Sequence, residues 1–302
     1  MTIAKPAGPH VFLDYDQAAL DAAYDQARWC TNQAALSVRN NVASDAARTR
    51  MPPAQRIAYG PGPMEHLDLF RAQRTKAPVF VFVHGGAWRA NSSARHAYIV
   101  EAYVDAGAHA VLLDFDGVET LGGNLLAVID QVRRGVAWVA ANAASFGGDP
   151  ARIHIAGHSS GAHLTGCVLV TDWAGYGLPD DVLAGALVCS GMYELEPVAL
   201  SARRSYVNFD AETVAALSSQ RHLARIAMPV IVAYASEESP EFQRQSREFS
   251  AALEAAGKPV QLLLGEGYNH FEMTEALANP YGLLGCAMFA QMGLRPATGF
   301  TR

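Results

Sequence analysis

Six short apolar runs recur along the chain: PVFVFVHGG (78–86), HAVLLDFD (109–116), RIHIAGHS (152–159), LAGALVCSG (183–191), PVIVAYAS (229–236) and VQLLLGEG (260–267). Each is rich in β-branched and aromatic residues and apolar at nearly every position, which is the pattern of a strand buried on both faces. Helical stretches such as NLLAVIDQVRRGVAWVAANAASF and SPEFQRQSREFSAALEAAG lie between them. Buried strands alternating with amphipathic helices predict an α/β fold, with a mostly parallel sheet covered on both faces. A chain of 302 residues can form one such domain around one sheet. Two weaker strands are expected at RIAYG and HLDLFR. The stretch from about 14 to 50 reads as helix, stopped by Pro52 and Pro53, so residues 1–54 form a helical N-terminal extension. The connection 192–222 is long for a link between two strands and is expected to form a small lid over the sheet's edge.

Composition bears mainly on partners. A formal charge of −6 with scattered Lys and Arg gives no basic surface for nucleic acid or an acidic membrane. The four cysteines sit far apart with no C-x-x-C pair, which argues against a disulfide framework or a zinc site and fits a reducing compartment. The opening MTIAKPAGPHVFLDYD has no apolar secretory core, and no run of about 18 apolar residues could span a bilayer. A cytoplasmic protein acting on a small molecule is expected, without metal or cofactor; a homodimer stays open.

The chemistry gathers around GHSSGAH (157–163). A buried strand precedes it and an apolar helix follows, which is the setting of a nucleophile elbow. Gly157 and Gly161 permit the tight turn, Ser159 sits at its tip, and the amide of Ser160 points toward a developing oxyanion at the helix N-terminus. Because that role uses the backbone, the side chain of Ser160 is expected to matter little. HGGAW (84–88) ends the first strong strand, so the amides of Gly86 and Ala87 are the candidate partners of Ser160 in an oxyanion hole. Trp88, beside this loop, and Tyr193, after the CSG strand end, are candidate substrate-wall residues.

Of ten histidines, His270 has the required order after the nucleophile and lies in a loop beyond the last strand. His66 comes too early, on an edge strand; His154, His158 and His163 belong to the elbow itself, and His222 to the lid region. The acid should follow PVIVAYA, where Glu237, Glu238 and Glu241 compete. Glu241 sits in the first turn of a helix, where a carboxylate offsets the dipole, and spacing alone does not separate Glu237 from Glu238.

HGGAW, FGGDPARIHIAGHSSGAHL, SGMYELEP, SPEFQRQSREF and NHF together resemble the arylformamidase (kynurenine formamidase) branch of the α/β-hydrolase family, over roughly residues 55–290. The resemblance implies the α/β-hydrolase fold, with Ser159 as nucleophile, His270 as base and Glu238, the residue before SPEF, as acid. Similar family members often have Asp there, which leaves Glu237 as a competitor. LDFDGVETLGGNL departs from the Cys-Pro stretch of the family. The resemblance implies hydrolysis of an N-formyl or small N-acyl arylamine through an acyl-enzyme, with a small-chain carboxylesterase as the alternative. A hydrolase-fold protein that only binds a ligand is disfavoured by the full set of reactive pieces.

Overall fold

The computed structural model describes residues 8–89 and 92–297. Eight strands form one sheet: β1 (Gln55–Ala58), β2 (His66–Phe70), β3 (Ala77–Val83), β4 (His109–Leu113), β5 (Gly148–His158), β6 (Gly185–Cys189), β7 (Val230–Ala235) and β8 (Val260–Gly265). Their order is β1-β2-β4-β3-β5-β6-β7-β8. β1 and β2 are antiparallel to their neighbours, and every pairing from β4 to β8 is parallel. All six expected core strands are present, as are the two weaker ones.

The central strands bury alternate residues in two separate cores, as a period of two requires. Val79, Val81 and Val83 of β3 face one core, and Phe80 and Phe82 face the other. The first core is completed by α4 (Leu125–Asn142), α5 (Ser160–Leu169) and α8 (Pro240–Ala255). The second is completed by α3 (Ala97–Asp105), α9 (Met273–Ala278) and α10 (Leu283–Met292). Burying one Val, Leu or Phe side chain contributes about 1.5–3 kcal/mol, so the doubly covered strands carry the largest share of stability.

The N-terminal stretch departs from the single expected helix. It breaks into α1 (Gln17–Ala23), a 3-10 turn (Gln26–Trp29) and α2 (Gln33–Arg50). Asp16 caps α1 and Asp25 caps the turn by accepting backbone N–H groups, so short polar side chains compete with a continuous helix. The connection after β6 holds two short helices, α6 (Glu196–Leu200) and α7 (Ala211–Leu217), joined through a 3-10 turn at Ala202–Ser205. No helix among the described residues is long and apolar enough to cross a membrane.

Candidate active site

The parallel strands all end on one edge of the sheet, and the reactive side chains collect there, as in other open α/β sheets. Val83 of β3 pairs with Gly157 of β5, so the loop at His84–Gly86 lies beside the turn at His158–Ser159. The packing is close: a Cβ on Gly161 would lie 2.2 Å from the Val83 carbonyl oxygen, and one on Gly157 would lie 2.4 Å from that of Gly161. Only glycine fits these two positions of the elbow.

Ser159 takes φ 59° and ψ −126°, a conformation that costs of order 1–3 kcal/mol for a residue with a side chain. Its N–H donates to the Cys189 carbonyl at 2.9 Å, which ties the strained turn to β6. Directly opposite, Gly86, Ala87 and Trp88 all have positive φ, at 121°, 56° and 61°. The N–H groups of Gly86 and Ala87 meet no acceptor among the described residues, and the N–H of Ser160 opens α5 outside its hydrogen-bond ladder. The Trp88 N–H is engaged: it donates to Ser160 Oγ at 3.2 Å. Ser160 is only 1% exposed. Its side chain therefore links elbow and loop, a role the sequence reasoning missed.

His270 and Glu238 come together from the loops after β8 and β7. His270 Nδ1–H donates to Glu238 Oε2 at 2.8 Å, with both side chains buried. The other carboxylate oxygen accepts the Ala235 N–H at 3.1 Å, and the Ser190 hydroxyl adds a further hydrogen bond. Burial raises the Glu238 carboxyl above its usual range, while those hydrogen bonds act the other way and favour the carboxylate. It pushes His270 down to about 3, with the positive charge of Arg203 acting in the same direction. Glu237 makes a backbone hydrogen bond to Tyr268 O and none to His270. Glu241 accepts from Tyr24 Oη at 3.0 Å and pairs with Arg244.

Two further side chains brace this pair. His158 Nε2–H donates to the His270 carbonyl at 2.8 Å, so a histidine set aside for its position in the elbow holds the backbone of its partner. Gln26 donates to Ser239 Oγ at 2.8 Å and accepts the Ser239 N–H at 3.2 Å, immediately beside Glu238. GHSSGAH carried a signal for His158; nothing local marked Gln26.

Ser159 and His270 line one cavity of about 650 Å³, together with Gly86, Ala87 and Arg203. Trp88 and Tyr193 do not line it, contrary to expectation. The Trp88 indole turns into the core, where Nε1–H donates to His163 Nδ1 at 3.1 Å. Tyr193 stacks on Phe249 of α8 with ring centroids 4.1 Å apart. An aromatic residue at a strand end has two faces of the sheet open to it, and here the core takes both rings. Among the described residues, no group of three or more His, Cys, Asp or Glu side chains is arranged to hold a metal ion.

Comparison with known proteins gives a consistent set. The family model BD-FAE matches residues 67–172. A kynurenine formamidase from Danio rerio is 28% identical over 91% of this chain and 96% of its own length. One from Salmo salar is 32% identical over 74% of this chain and 76% of its own. The esterase LipQ of Mycobacterium tuberculosis is 32% identical over 67% of this chain and 52% of its length. Among solved structures, a protein assigned as a thioesterase from Silicibacter superposes with a TM-score of 0.76 at 25% identity, covering 88% of this chain and 97% of that one.

Proposed function

The chain belongs to the kynurenine formamidase family of α/β-hydrolases, and on that premise we propose that it hydrolyses an N-formyl or small N-acyl arylamine by way of an acyl-enzyme. The observation that carries this reading is His270, on the wall of the cavity that holds the strained Ser159 and bonded from behind to the buried Glu238 at 2.8 Å.

In the proposed mechanism Ser159 Oγ attacks the acyl carbon while its proton passes to His270 Nε2. Burial supports this role for the imidazole, because it holds the ring in the neutral form that can accept a proton. Glu238, bonded at Nδ1, keeps the proton-accepting face of the ring toward the serine and stabilises the imidazolium that forms. The oxyanion is received by the N–H groups of Gly86, Ala87 and Ser160, and Trp88 N–H is excluded because Ser160 Oγ already holds it. His270 then protonates the departing amine. An arylamine is a better leaving group than an alkylamine, since its nitrogen is less basic. Water activated by the same imidazole releases the acyl group as the acid.

The similarity to LipQ keeps a small-chain carboxylesterase as the second reading. Steady-state kinetics on matched aryl formamide, aryl acetamide and aryl ester substrates distinguish the two. The expected result is turnover of the formamide, with Ser159→Ala lowering kcat by a factor on the order of 10⁴ or more while folding is retained. A Ser159→Ala protein that keeps its activity, or that still reacts with a fluorophosphonate probe, would remove the proposed nucleophile. Turnover of the ester alone would favour the esterase.

A further inference from the structure

His158 lines the cavity that holds Ser159 and His270, yet the proposed mechanism gives it no contact with substrate. It is 8% exposed, and its ring centroid lies 4.6 Å from that of His270. Its Nε2 faces the His270 carbonyl at 2.8 Å and must carry a hydrogen, because a carbonyl oxygen only accepts. Burial, with His270 acting in the same direction, holds the ring down to about 3, so it is neutral near pH 7. A neutral imidazole protonated at one nitrogen presents a lone pair at the other. Nδ1 is thus fixed as an acceptor.

That acceptor has no donor among the described residues, and it is not sealed inside the protein, unlike the Nε2 atoms of His84 and His109. Its open side is the catalytic cavity. Polar groups in so enclosed a place ordinarily have a partner, which leaves this one for a bound molecule. The other free groups around the acyl carbon are donors, the N–H groups of Gly86, Ala87 and Ser160. They suit a carbonyl oxygen and cannot receive an amide N–H.

We propose that His158 Nδ1 accepts the N–H of the scissile amide, and that this contact turns the enzyme toward secondary arylamides and away from esters. The inference rests on the arylamide hydrolase reading above. As Ser159 Oγ bonds to the acyl carbon, the amide nitrogen becomes pyramidal. Its lone pair must face the proton that His270 Nε2 delivers, so its own N–H must point elsewhere. An acceptor fixed beside His270 holds that N–H while the C–N bond breaks, and no proton passes to or from His158. An ester has no hydrogen on its leaving oxygen and gains nothing from the contact. Neither does an amide whose nitrogen is methylated.

The test compares kcat/KM for formanilide with that for N-methylformanilide in the wild type, His158→Gln, His158→Asn and His158→Phe. Both leaving groups are arylamines that need the proton of His270, so a misplaced His270 slows both and leaves their ratio alone. The side-chain N–H of Gln falls near the place of Nε2 and can still donate to the His270 carbonyl, with no acceptor at Nδ1. The side-chain oxygen of Asn falls near Nδ1, with no donor at Nε2. A neutral hydrogen bond gives roughly 3–10-fold discrimination. The ratio of formanilide to N-methylformanilide should fall by that factor in His158→Gln and His158→Phe. It should hold in His158→Asn, where both rates drop together. An unchanged ratio in His158→Gln and His158→Phe overturns the proposal, as does a fall in His158→Asn as large as in His158→Gln. If the wild type turns over neither anilide, the hydrolase reading fails, and calorimetric titration of Ser159→Ala with the two anilides decides the acceptor site by itself. Tighter binding of formanilide that a second change, His158→Gln, abolishes supports the site. Equal binding, no binding, or a preference that survives His158→Gln sinks it.

Discussion

The hydroxyl of Ser160 accepts an amide from a residue held at φ 61°, so one buried oxygen steadies a loop with three successive positive φ angles. Removing that oxygen leaves the Trp88 N–H without an acceptor, at a cost of about 1–3 kcal/mol. It also frees the loop that carries two of the proposed oxyanion donors. Ser160→Ala is therefore expected to lower the melting temperature and to reduce kcat by roughly 3–30-fold with KM little changed, against the much larger loss for Ser159→Ala. A Ser160→Ala enzyme with wild-type kcat and melting temperature would show that the loop is held by other contacts. Trp88 illustrates the limit of reading single residues. Its place after HGG marked a site, but whether an indole faces a cavity or the core depends on His163, 75 residues further along.

At the scale of elements, the N-terminal helices act on the site from outside. Gln26 clamps Ser239 at the start of α8, and Asn32, at the start of α2, donates to Glu272 at 2.8 Å and accepts from Asn269 at 3.0 Å. These contacts hold the acid-bearing and base-bearing loops against each other. Gln26→Leu leaves the buried Ser239 N–H without its acceptor, while Ser239 Oγ keeps the Phe242 N–H, and should destabilise the protein by about 1–3 kcal/mol in urea unfolding. It should also lower kcat by about tenfold as Glu238 loses its support. Unchanged kcat with the expected loss of stability would confine Gln26 to a purely structural part. The strands and the strand–turn–helix around Ser159 were legible because their signals are local, apolar runs and flanking glycines, whereas Glu238 was singled out only by the family resemblance. The break of the helix at 14–50 was less legible: Asp16 and Asp25 cap its pieces locally, but the partners of Gln26 and Asn32 lie more than 200 residues away in sequence, at Ser239 and Glu272. Spacing left Glu237 and Glu238 tied, and only the direction of the turn after β7 separates them.

The whole molecule carries an unusual load of buried imidazole. His96, His158 and His270 are pushed down to about 3 and His163 to about 4, in each case chiefly by burial. Their folded values lie below the unfolded value of about 6.5, so the unfolded chain binds more protons below that pH. Their contribution to stability is complete above pH 6.5 and is lost as pH falls. Glu238 acts in the opposite sense: raised by burial, it favours the folded state at low pH and loses that advantage as pH rises from 4.5. The imidazoles outnumber the one carboxyl, so stability is expected to rise with pH from about 5 toward the unfolded histidine value. Urea titrations between pH 5 and 7 measure this directly. A flat profile would mean that these rings are already charged or solvated in the native state.

The clamp between Gln26 and Ser239 spans 213 residues, and that between Asn32 and Glu272 spans 240. The strand, turn and helix around Ser159 are by contrast contiguous in the chain. A polypeptide leaving the ribosome can thus lay down its serine on the elbow while the acid and the base have yet to be translated. Under the proposed roles, that serine lacks its proton acceptor until the final third has emerged, where the first fifty residues then clamp it. On the proposed mechanism, a partly made chain would hold its nucleophile without the means to use it.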